Sequence, residues 1–214
     1  MTHAKEYRKL NTPRAAAIAG ILFALLFSIS IILVRTVTPQ ELTFEVGWLE
    51  RGAGRITLAI ALMPFAGIAF LWFIGVVRDR LGEYEDRLFA TVFFGSSLLF
   101  LAMVFVSMAI AGSILAVAQA GTELSIPNDL IYFARALMLQ VSNVYALRMA
   151  GVSMISLGTI WWRTGLMPRW MVIITYLLAV GLLVIINLNL WVVLIFPSWV
   201  LVISVYKLVV TQPN

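Results

Sequence analysis

Apolar residues in this chain come in long runs rather than in alternation. The runs lie at residues 15–34, 56–77, 88–118, 130–162, 170–186 and 190–210. An apolar run of about 18 or more residues with few charges has the length to cross a bilayer as a helix. No alternating segment of about ten residues recurs, as a transmembrane barrel would require. The pattern predicts an all-α integral membrane protein, a bundle of six transmembrane helices in a single domain over residues 1–214. The third run, about 31 residues, makes a helix of roughly 46 Å at 1.5 Å per residue. It must tilt, kink or protrude from a hydrocarbon core of about 30 Å. The "NLN" link at 187–189 is so short that helices 5 and 6 form a tight antiparallel hairpin. No internal repeat of the kind many transporters carry is visible.

The polar interruptions add detail. In "TPQELTFEVGWLERG", Thr38, Pro39 and Glu41 make a capping-box signature. Leu42, Val46 and Leu49 then share one helical face, which predicts a short amphipathic helix lying on the membrane surface in the first outer loop. Pro127-Asn128-Asp129 is a helix-start signal for helix 4. "RDRLGEYEDR" (Arg78 to Arg87) reads as a solvated turn. Pro64 and Pro197 fall inside the second and sixth runs and are candidate kinks or hinges.

Charge orients the bundle. With six spans both termini share one side, and that side holds Lys5, Arg8, Lys9, Arg14, Arg78, Arg80, Arg87, Arg163, Arg169 and Lys207. The other side holds Arg35, Arg51 and Arg55, so the positive-inside rule makes the N- and C-termini cytoplasmic. In "WWRTGLMPRW", Trp161, Trp162 and Trp170 with Arg163 and Arg169 are expected to anchor the cytoplasmic interface. The basic stretch before residue 15 and the following run of about 20 residues are read as a retained first helix, because the run is longer than a signal core.

Composition narrows the chemistry. Hydrophobic residues make up 62% and charged residues 12% of the 214, about half the charge of a soluble domain. The net charge of +5 is explained by helix-end cations, so nucleic acid is not an expected partner. With no cysteine, and His3 the single histidine, no metal site or cofactor is expected. Most general acid–base and nucleophile schemes lose their residues too, and the chain is read as not an enzyme.

One residue resists the pattern. Arg148 sits in "LQVSNVYALRMAGVSMI", about 20 Å from the cytoplasmic belt at 1.5 Å per residue. A charge at such depth is costly and is expected to face the protein interior or a watery cavity with a partner. None of the ten acidic residues falls within a span, which argues against a proton relay. Arg148 then bonds neutral acceptors such as Asn143 or Asn187, meets a loop carboxylate that dips inward, holds an anion, or pairs with another chain. On a helical wheel Tyr132, Arg135, Gln140, Ser142, Asn143 and Ser153 share one arc. Helix 4 is therefore expected at the bundle centre, with Arg148, Asn143, Gln140 and Arg135 as candidates for binding an anion, a lipid or a partner.

"LMPFAGIAFLWFIGVVRDRLGEYEDRLFATVFFGSSLLFLAM" (Leu62 to Met103) resembles a stretch in a family of bacterial polytopic, about six-helix membrane proteins with no known activity. The resemblance implies a bacterial origin and little more; with the six runs, the expected location is the bacterial inner (plasma) membrane, as a multi-pass protein. Two functions compete. One is an accessory or scaffold subunit of a larger membrane complex, with lipids and other membrane subunits or a second copy as partners. The other is a small transporter or channel binding an anionic or amphiphilic solute at Arg148. A lipid-directed intramembrane enzyme is a weaker third.

Overall fold

The computed structural model describes residues 12–38, 47–81, 87–119, 128–184 and 191–210. Among them every element is helical: α1 (Thr12–Val37), α2 (Gly47–Leu81), α3 (Arg87–Gln119), α4 (Asn128–Gln140), a π-helical segment (Val141–Ala146), α5 (Leu147–Thr164), α6 (Arg169–Val184), a 3-10 turn (Val192–Leu194) and α7 (Ile195–Val210). α4, the π segment and α5 follow without a break and form one long rod. The near end of the bundle is where α1, α3 and α6 begin. The far end is where α1 and α3 finish and α2, α4 and α7 start.

Five segments are long and apolar enough to cross a membrane: Arg14–Val37, Gly47–Asp79, Leu88–Gln119, Asp129–Thr164 and Val192–Val210. α6 is apolar throughout, but its 16 residues reach only about 24 Å at 1.5 Å per residue. It corresponds to the expected fifth span, 170–186, whose last residues lie outside the described residues. α2 starts at Gly47, well before the expected residue 56. The "GWLE" expected in a separate surface helix is its first turn; residues 39–46, the rest of that expectation, lie outside the described residues. Thr38, expected to cap the surface helix, instead donates its hydroxyl to the Val34 carbonyl at 2.8 Å and closes α1.

The centre is aromatic. Phe23 and Phe27 of α1, Phe70 of α2, Phe100 of α3 and Phe196 of α7 are each at most 1% exposed. Phe23 meets Phe70 at 4.4 Å between ring centroids, and Phe100 meets Phe196 at 4.5 Å. Phe70 stands edge-on to Phe100 at 5.7 Å and to Phe196 at 5.8 Å. Tilted and edge-on pairs of this kind suit the ring quadrupoles. Small residues let the helices close around them. Gly20 of α1 lies against Ser204 and Phe73, and Gly67 of α2 lies under Phe105. At Gly151 of α5 a methyl group would stand 3.0 Å from the Ala179 carbonyl oxygen of α6.

α1, not the fourth rod, is the most enclosed span, with half of its apolar window buried against 39% for Asp129–Thr164. The polar arc overstated the rod's burial because most hydroxyls in the bundle bond their own backbone one turn back. Ser30 donates to Leu26, Ser156 to Val152 and Thr159 to Ile155, at 2.8–2.9 Å. A side chain satisfied that way needs neither water nor a neighbouring helix. The prolines fall inside helices as expected. α2 runs unbroken through Pro64. Pro197 is the third residue of α7, in the first turn, where a missing N–H breaks no helical bond.

Candidate functional site

The buried polar cluster of the far end joins α1 to the π segment. Arg35, at the last turn of α1, is 5% exposed. Its Nη2 donates to Asn143 Oδ1 at 2.7 Å and to Ser142 Oγ at 3.2 Å. Ser142 Oγ in turn donates to Asn143 Oδ1 at 3.0 Å. Asn143 Oδ1 thus collects a charged donor and a neutral one, the former being the stronger kind of hydrogen bond.

The local sequence explains why the chain widens here. "VSNVYA" groups β-branched residues with Ser and Asn, all weak α-helix formers. One π turn inserts a residue and re-aims the side chains, a device common at functional sites. Ser142 and Asn143 are both buried as a result, and both face α1.

Arg135, seven residues before Ser142, lies on the same face and is 1% exposed. Its guanidinium sits 5.7 Å above the Trp48 ring of α2, a cation–π contact. It also acts electrostatically on Arg35. Two cations from different helices thus share the far end, and the described acids Glu50, Asp79 and Asp129 are all exposed.

The expected site residues divide. Asn143 and Arg135 belong to this cluster. Gln140 is exposed on the bundle flank. Arg148 is half-buried, and its Nη1 donates to the Val144 carbonyl of its own rod at 3.4 Å. From this partly buried position it takes a neutral backbone acceptor, one of the arrangements expected, and a short route to the membrane surface is open to it as well. Asn143 lies 20 positions from Arg163, about 30 Å along the rod. That equals a bilayer core, so if Arg163 marks the near boundary Asn143 falls at the far one. Arg148 is then about 8 Å inside that boundary, and its side chain leans toward it, as helix side chains lean toward the N-terminus. The depth measured from the near end alone concealed this shorter way out.

Arg35 was missed by sequence reasoning because its position at the end of a run makes it look like a surface anchor. A usable signal was present: no acidic residue accompanies it on α1 between Thr12 and Val37. At the near end, Trp162 and Trp170 are each 55% exposed. Trp161 is 6% exposed and packs on Trp199 at 6.0 Å, so it belongs to the core. Arg163 lies over the Phe89 ring at 5.1 Å, and Arg169 is exposed. Lys207 Nζ donates to the Leu166 carbonyl at 2.9 Å, tying α7 to the α5–α6 link.

Among the described residues no group of three His, Cys, Asp or Glu stands close enough to hold a metal. Comparison of the chain with models of known families, with curated proteins and with solved structures returns no match.

Proposed function

We propose that this chain is a non-enzymatic accessory or scaffold subunit of a bacterial inner-membrane complex, with its termini in the cytoplasm, docking through the flank that carries Arg148. The observation that carries this reading is the place of Arg148. It is a half-buried cation on a membrane rod, and its bond to the Val144 carbonyl is long, at 3.4 Å. Tyr145, one turn away, is 58% exposed and offers the large amphipathic ring that interfaces favour. A carboxylate or carbonyl on a neighbouring membrane chain would complete the guanidinium's hydrogen bonds.

The competing reading, a transporter or channel for an anionic or amphiphilic solute at Arg148, has the packing of the centre against it. Five phenylalanines from four helices fill the bundle where a central path would run. Purification from the native membrane in mild detergent, with mass spectrometry of what stays bound, separates the two. The subunit reading expects other polypeptides with the wild type and their loss in Arg148→Ala. A solitary chain that carries an anionic solute, lost in the same variant, overturns it.

A further inference from the structure

α5 and α6 enclose an open apolar groove of about 480 Å³ lined by Trp162, Ile173, Tyr176, Leu177 and Val180. Its floor needs no water, because the Tyr176 hydroxyl is already bonded to Thr159 Oγ1 at 2.9 Å. Ile173, Tyr176, Leu177 and Val180 follow the three-and-four spacing of one helix face. Arg169 stands four residues before Ile173 and continues that stripe toward the near end, where it is exposed. Trp162 and Trp170, both 55% exposed, flank it at the level where indole rings meet lipid headgroups. Arg163 lies over Phe89, whereas Arg169 continues the helix face that lines the groove. From Leu130 to Asn214 the sequence holds Arg135, Arg148, Arg163, Arg169 and Lys207 and no Asp or Glu.

An apolar trough with a cation at one end fits an amphiphile with a negative head. We propose that this groove holds one acyl chain of an anionic phospholipid whose phosphate is bound by Arg169. The site is independent of the docking flank at Arg148, since it lies on another stretch of the rod and on a different helix.

The test uses the purified, delipidated full chain. Native mass spectrometry follows titration with dioleoyl phosphatidylglycerol or dioleoyl phosphatidylcholine. The wild type should retain a first phosphatidylglycerol about fivefold more tightly than phosphatidylcholine, the scale of one surface arginine acting on an anionic lipid. Arg169→Gln should remove that preference, while Val180→Trp should fill the trough and weaken retention of both lipids. Arg148→Gln should leave the preference intact. Equal retention of the two lipids by the wild type overturns the proposal, as does a preference that survives Arg169→Gln or a first adduct indifferent to Val180→Trp. Arg169 and Val180 are both exposed, so neither change disturbs the core.

Discussion

At the scale of single residues, three arginines near the far end have different situations. Arg35 and Arg135 are enclosed between helices, whereas Arg148 is only half-buried and bonds the Val144 carbonyl of its own rod, toward the far end. Sequence position ranked them in the opposite order, because depth along a run says nothing about the side of a helix that faces inward. Only the packing of α1 on the rod brings Arg35 to Asn143, two residues separated by 108 positions. Asn143→Ala removes the acceptor of a charged hydrogen bond and should destabilise the protein by about 1–3 kcal/mol. Gln140→Ala, on the exposed flank, should stay within about 0.5 kcal/mol. Denaturation midpoints in detergent compare the two, and equal losses would show that the Arg35 contact contributes nothing particular.

At the scale of elements, most of the helices were legible and most of their ends were not. Hydrophobic runs identify spans because a bilayer obliges the backbone to satisfy itself within each helix. The same rule makes ends hard to read, since a helix continues past the apolar run wherever its next residues tolerate it. α2 gained its first two turns in that way. The π segment left no periodic mark at all, for one inserted residue merely rotates the pattern that follows. Contact between helices is sharper than contact along them. Gly151→Leu would drive a side chain into the Ala179 carbonyl and Leu183 of α6. Overpacking of this kind costs about 1–3 kcal/mol. A methyl group at Gly75 meets nothing within 4 Å, so Gly75→Ala should be neutral or slightly stabilising through helix propensity. Thermal unfolding of the two variants is the check, and a tolerated Gly151→Leu would mean that α5 and α6 are not held this closely.

At the scale of the whole molecule, the membrane class and the all-helical bundle were readable from composition and run length. The aromatic centre was not, because its rings come from four helices and the alignment of those helices is a tertiary matter. The outline of the molecule carries a consequence of its own. α2 has 35 residues, about 52 Å, and α3 has 33, about 50 Å. Both exceed a hydrocarbon core of about 30 Å, so they tilt or stand out of it, at a fraction of a kcal/mol per ångström of mismatch. The protein should therefore gain stability as the acyl chains of phosphatidylcholine bilayers lengthen. Unfolding measured across a series of chain lengths reads this directly, and a flat response would mean that tilt absorbs the whole excess. A rod that leans cuts a wider cross-section through the bilayer than an upright one, so the area this protein occupies in the membrane varies with the thickness of the membrane it sits in.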